Sequence, residues 1–233
     1  MSGKRIAFTG ASGSGKTTLA KGLSRELGIP MLSLSTRGYA KEHWGFDNPY
    51  DVDNACSEVY HEIYNNGVKA DKPAEECRVY AAAVSMNRAK EGTSLRAEFQ
   101  RGLLQEKMDL EVRYASAGRG FISDRSVLDV LVYSMMHCPE AVTREVYFRC
   151  LNHTDKYTHL LYTPRCEFHN PEDDGVRKTD SGYHFVFETI LDKVLSDGTH
   201  YFMRFDDTFR YTRVLGGNSK EQRLQHALDL VKS

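Results

Sequence analysis

With 31 Lys and Arg against 32 Asp and Glu in 233 residues, the chain has a formal net charge of −1. That excludes a global basic field and leaves any nucleic-acid contact to a local patch. Five cysteines without a CxxC pair (Cys56, Cys77, Cys138, Cys150, Cys166) argue against a disulfide frame or zinc site, and fit reduced thiols in a cytoplasmic protein. No apolar run approaches the ~18 residues of a membrane span, and no signal-peptide core opens the chain, so no membrane partner is expected. The length suits one α/β domain over residues 1–233.

Arg5-Ile6-Ala7-Phe8-Thr9 is a short β-prone run. It leads into Gly10-Ala11-Ser12-Gly13-Ser14-Gly15-Lys16-Thr17, a complete GxxxxGK[ST] loop. Thr17 and Thr18 then open a stretch with apolar residues at Leu19, Ala20, Leu23 and Leu27, which is helical spacing. Strand, glycine loop and helix are the setting in which this motif cradles a nucleoside triphosphate. The glycines let backbone N–H groups turn inward around a polyphosphate, and the helix N-terminus adds a favourable dipole. Lys16 reaches the β- and γ-phosphates, and Thr17 offers a hydroxyl to Mg²⁺.

Pro30–Leu34 predicts a second strand. The irregular stretch 35–57 follows it on the acceptor side, carrying Tyr39, Trp44, Phe46 and Tyr50, which either stack on a base or simply pack. Asp47, Asp51 and Asp53 in it are the next candidates for a catalytic base after Asp124. The apolar spacing of Leu95, Phe99, Leu103, Leu104, Met108 and Val112 predicts a helix over 94–116. Gly120–Asp124 is the third strand. Asp124 at its C-terminal end points into the crevice where open α/β sheets bind ligands. It can hold Mg²⁺ through water or accept a proton from an attacking hydroxyl. Arg125 can contact a phosphate, or pair with Asp129 one turn later. Asp129 by itself is ambiguous.

Thr158–Tyr162 reads as the fourth strand. The polar excursion after Pro164 carries Arg165 and Arg177 and suits a lid over about 165–180, closing on a phosphoryl group and excluding water. A helix over 183–196 comes next, then a fifth strand at His200–Phe205. A last helix over 219–231 is capped by Ser219 behind Gly216-Gly217. This alternation predicts a parallel five-stranded sheet sandwiched between helices, with a lid segment. The histidines include no HExxH pair, so a histidine metal site is not expected.

The phosphate loop, Phe99-Gln100 with Gln105 and Glu111, Ile122-Ser123-Asp124-Arg125-Ser126 with Asp129 and Tyr133, and Asp174-Gly175-Val176-Arg177 together resemble one group. It is the P-loop kinases related to the nicotinamide-riboside kinase domain, and the likeness spans about residues 4–231. Thymidylate-kinase-like and deoxynucleoside-kinase-like enzymes are more distant relatives. Viral enzymes that phosphorylate hydroxymethylated bases in DNA, of the 5-hydroxymethyluracil type, are P-loop kinases too. The resemblance implies the P-loop kinase fold, ATP and Mg²⁺ as cofactors, and Lys16 and Thr17 on the donor phosphates and metal. It also implies Asp124 near metal or acceptor, and Arg177 with Arg165 in the lid.

One departure stands out. Related deoxynucleoside kinases carry a glutamate base at the end of the second strand, where this chain reads Ser33-Leu34-Ser35-Thr36-Arg37. Either Asp124 is the base or the acceptor is held differently, and Arg37 can meet an anionic acceptor. The expected activity is γ-phosphoryl transfer to a hydroxyl of a nucleoside- or nucleotide-type acceptor. The alternatives are a kinase acting on a hydroxymethylated base within DNA and an NTP-hydrolysing switch.

Overall fold

The computed structural model describes residues 3–45, 95–164, 181–202, 210–213, 217 and 219–232. Their elements run β1 (Arg5–Thr9), α1 (Lys16–Leu27), β2 (Met31–Leu32) and α2 (Thr36–Tyr39), which continues into a π-helical turn (Ala40–Trp44). Then come α3 (Leu95–Ser116), β3 (Phe121–Ser123), α4 (Val127–His137), α5 (Glu140–Thr154) and β4 (His159–Tyr162). α6 (Ser181–Phe202), β5 (Arg210–Arg213) and α7 (Lys220–Lys232) complete the described chain.

The strands form one sheet in the order β2-β3-β1-β4-β5, with every pairing parallel. β1 lies at the centre, Ile6 opposite Ile122 on one side and His159 on the other. Period-2 alternation sends successive side chains to opposite faces. Ile6, Phe8, Ile122 and Leu161 therefore pack with Leu19 and Leu23 of α1 and Leu228 and Val231 of α7. Ala7, Phe121, Leu160 and Tyr162 join the second core with α3, α4, α5 and α6. Both faces are buried, which is why these strands read as continuous apolar runs.

The chain leaves β1 to reach β2 on one side of the sheet, and leaves β3 to reach β4 on the other. The strand order thus reverses between β1 and β3, and a crevice opens at their C-terminal ends. The phosphate loop leaves β1 there, and the Asp124–Ser126 turn leaves β3 beside it. Ser126 caps α4, its hydroxyl accepting from the Leu128 N–H at 3.1 Å. Ser219 caps α7 in the same way, accepting from Gln222 at 3.2 Å as the sequence predicts.

The fifth strand is a correction. The aromatic run at 200–202 continues α6, and the edge strand is Arg210–Arg213, with His159 opposite Arg210 and Tyr162 opposite Arg213. α6 is already committed to the core through Phe187, Leu191, Val194 and Leu195. Extending a packed helix by a turn adds one hydrogen bond per residue fixed, and that overrides the β propensity of a short aromatic segment. An edge strand pairs on one side only and needs no apolar run to mark it.

Candidate active site

The loop between β1 and α1 requires glycine at its start. Gly10 has φ +149°, and a Cβ there would stand 2.4 Å from the Thr163 carbonyl oxygen at the end of β4. No other residue type fits that approach. Inside the loop, the Lys16 ammonium donates to the carbonyls of Gly10 and Ala11, each at 2.6 Å, and lies 3.4 Å from Ser14 Oγ. Burial pushes its pKa down to about 8, against the pull of Asp129 and Asp124 in the other direction. The lysine therefore lies buried against the loop's own carbonyls.

Asp129 proves to be part of this loop's frame. Its Oδ1 accepts from the Gly10 N–H and from the Thr9 hydroxyl, both at 3.1 Å, and its Oδ2 is buried with no partner. The sequence disguises it: Ser126-Val127-Leu128-Asp129 has the spacing of a helix capping box, a purely local device. Arg223 of α7 grips the loop from the other face. It donates to the Ser14 carbonyl and to the Pro164 carbonyl, each at 3.2 Å. Nothing in the sequence flags this residue, because its partners lie 209 and 59 positions away.

Thr17 and Asp124 are brought together, Thr17 Oγ1 donating to Asp124 Oδ2 at 2.9 Å. The remaining Asp124 oxygen, Oδ1, is buried without a partner. Among the described residues no three His, Cys, Asp or Glu side chains gather around a common point. One carboxylate and one hydroxyl suit Mg²⁺, which keeps several waters and takes substrate phosphates as further ligands. Ser12 and Thr17 also face the adjoining cavity, while Thr18 lies exposed at the start of α1.

That cavity, of about 320 Å³, extends from Thr17 and Asp124 between the Ser33–Arg37 segment, α3, α4 and the start of α6. Arg37 and Arg125 both line it, together with Arg96, which the sequence does not single out. Arg125 is hydrogen-bonded to Tyr133; burial acts against its charge, but Tyr133, Asp129 and Asp124 hold its pKa above the usual value. Aromatic walls come from Phe99, Tyr133 and Tyr183, with His137 3.1 Å from the Tyr183 hydroxyl. Gln100 is nearly buried at the cavity, and its Oε1 has no partner.

Gly102 shapes this wall from behind. A Cβ on it would fall 1.9 Å from the Tyr39 hydroxyl, so only glycine lets Tyr39 lie against α3 and meet Phe99 edge-on at 5.2 Å. Tyr39 thus packs in the core, one of the two roles the sequence leaves open to it. Arg165, Arg177 and the lid, with Phe46, Tyr50, Asp47, Asp51 and Asp53, lie outside the described residues, and of Trp44 only the backbone lies within them.

A five-stranded parallel sheet with a GxxxxGKT loop at its reversal point is a P-loop nucleotide-binding fold. The family model described as "AAA domain" matches residues 5–205, and the chain belongs to that family. Among solved structures it is similar to deoxyadenosine kinase from M. mycoides with bound dATP (12% identity, TM-score 0.55, covering 99% of this chain and 100% of that one). It is also similar to NadR protein in complex with NAD and AMP-PNP (14% identity, TM-score 0.53, covering 99% of this chain). The chain spans about half of NadR, 49% of its length. These likenesses establish a fold shared with P-loop kinases. No curated protein matches the chain. No helix among the described residues is long and apolar enough to cross a membrane.

Proposed function

We propose that the chain is an ATP- and Mg²⁺-dependent kinase that transfers the γ-phosphoryl group to a hydroxyl of a nucleoside- or nucleotide-type acceptor. One observation carries the reading. A cavity of about 320 Å³, walled by aromatic rings and holding an unpartnered Gln100 carbonyl, abuts the Thr17–Asp124 pair beside the phosphate loop. A phosphate loop that served hydrolysis alone needs no such chamber. A kinase does, because it must hold an acceptor hydroxyl in line with the γ-phosphate.

In this reading the backbone from Gly10 to Thr18 holds the donor phosphates, and Lys16 neutralises charge on the β- and γ-oxygens. Thr17 and Asp124 would hold Mg²⁺, which when bound neutralises charge on the phosphoryl oxygens. Asp124 also lines the cavity, which supports the alternative role for this carboxylate, taking the acceptor's proton. Gln100 and the rings suit a heterocyclic base, the amide oxygen matching an N–H on its edge. Arg125 and Arg37 would orient the acceptor. On sequence grounds Arg177 meets the transferring phosphoryl from the lid and Arg165, nearer the strand end, is a static contact there, over a single domain working in the cytoplasm.

Arg37 and Arg96 at the cavity favour a second reading, a hydroxymethylated base within DNA whose backbone phosphates they would meet. The deciding experiment incubates the protein with labelled ATP and a panel of nucleosides, nucleotides and hydroxymethylated DNA. Label on a small molecule supports the first reading, and label on DNA the second. Release of inorganic phosphate alone, whatever acceptor is present, refutes both.

A further inference from the structure

Beneath the turn that joins β3 to α4 lies a polar cluster that none of the chemistry above uses. Glu111 of α3 is fully buried, and its carboxylate is ringed by donors. Lys107 Nζ stands at 2.9 Å, Ser123 Oγ at 2.6 Å, His153 Nε2 at 2.7 Å and the Tyr157 hydroxyl at 2.8 Å. Burial pushes its pKa up, but Lys107, His153 and Ser123 outweigh that and hold it down to about 2, so the carboxylate is ionised. His153 Nδ1 has no partner. A carboxylate only accepts, so Nε2 carries a hydrogen directed at Glu111.

Two of these donors reach onward to the turn. The Tyr157 hydroxyl gives its proton to Glu111 and accepts the N–H of Val127 at 3.2 Å. That N–H belongs to the first turn of α4 and has no partner within the helix. Ser123 gives its proton to Glu111, accepts from Lys107 at 2.7 Å, and stands 2.9 Å from the Arg125 carbonyl. Glu111 therefore pins both ends of one short turn, Ser123 where β3 stops and Val127 where α4 starts. Between those ends stand Asp124, bonded to Thr17, and Arg125, which lines the cavity.

We propose that Glu111 is a positioning residue of the site: through Ser123 and Tyr157 it fixes the turn that presents Asp124 to Thr17 and the phosphate loop. The inference rests on the reading of Asp124 as a metal and acceptor residue. Stability alone does not call for this cluster, since a buried ion pair is commonly no better than packed apolar side chains of the same volume. Directional bonds to a charge do what apolar packing does not, and lock one turn geometry.

The test uses the full chain with Tyr157→Phe, which removes one hydroxyl, and Glu111→Gln. Val146→Ala, on the buried face of α5, is the control for lost stability. The readouts are melting temperature, affinity for a fluorescent ATP analogue with and without Mg²⁺, and kcat and KM for ATP. In Tyr157→Phe, metal-free affinity should stay within about twofold of wild type, while the gain on adding Mg²⁺ and kcat should each fall about 3- to 10-fold, the scale of one hydrogen bond. KM for ATP should barely move, and Glu111→Gln should show the same pattern more strongly. If Glu111→Gln does not fold, Tyr157→Phe decides. A wild-type Mg²⁺ gain and kcat in Tyr157→Phe overturns the proposal, as does an equal fall in Val146→Ala at the same loss of melting temperature. A wild-type chain that transfers to no acceptor sinks the kinase reading by itself, because the Mg²⁺ gain in nucleotide affinity still reports the turn.

Discussion

Lys16→Met separates what the phosphate-loop lysine does for function from what it costs the fold. Lys16 is 4% exposed, and its pKa falls from 10.5 to about 8 on folding. At about 1.4 kcal/mol per pH unit, the folded state carries a penalty of about 3 kcal/mol at neutral pH from holding this charge. Methionine of similar length removes the charge and gives up hydrogen bonds to Gly10, Ala11 and Ser14. The Ala11 carbonyl keeps the Ser14 N–H at 3.3 Å, so the stranded groups recover about 1 to 2 kcal/mol of that gain.

The net expectation is a variant at least as stable as wild type at pH 7, with transfer reduced about 10²-fold or more through the lost charge on the developing phosphoryl group. The pH dependence fixes the sign. The unfolded lysine stays protonated up to about 10.5 and the folded one to about 8. Wild type therefore gains stability relative to the variant as pH rises between those values. The variant's advantage should be full below pH 8, vanish part-way to pH 10.5, and by then be reversed by about the 1 to 2 kcal/mol of lost hydrogen bonds. Urea unfolding of both proteins from pH 7 to pH 10.5, beside steady-state transfer assays, measures this. A variant more than about 1 kcal/mol less stable at pH 7, or one that turns over within tenfold of wild type, would refute the reasoning.

Asp124→Asn should cut turnover about 10²-fold while leaving metal-free ATP affinity nearly unchanged, as transfer and nucleotide-binding assays would show. Thr17→Ala should raise the Mg²⁺ concentration needed for half-maximal activity; an unchanged titration would remove this hydroxyl from the metal site. Gly102→Ala should drive Tyr39 off α3, lower stability by about 1 to 3 kcal/mol in thermal melts, and raise KM for the acceptor more than for ATP. Arg177→Ala should lower kcat more than it raises either KM, since the charge it would meet matures only in the transition state.

The sequence by itself determined what a few adjacent residues dictate. The Gly10–Thr17 loop, the α1 helix behind it, the buried strands and the Ser219 cap follow from backbone requirements and periodicity within a span of a dozen positions. Thr17 and Asp124 are each legible as candidates, a hydroxyl after a phosphate loop and an acid at the end of a buried strand, and the neighbouring of β1 and β3 brings them together. The tertiary structure alone decided the rest. Asp129 has the spacing of a helix cap, yet β3 lies next to β1, and that carries its carboxylate under Gly10, 119 residues earlier. Glu111 enters the sequence reading only as part of a family likeness, and the packing of α5 on α3 is what closes His153 and Tyr157 over it. The aromatic run at 200–202 favours a strand in isolation, yet it follows a helix already seated on the core. In each case the partner is distant in sequence, and its approach depends on strand order and helix packing, which no local pattern encodes.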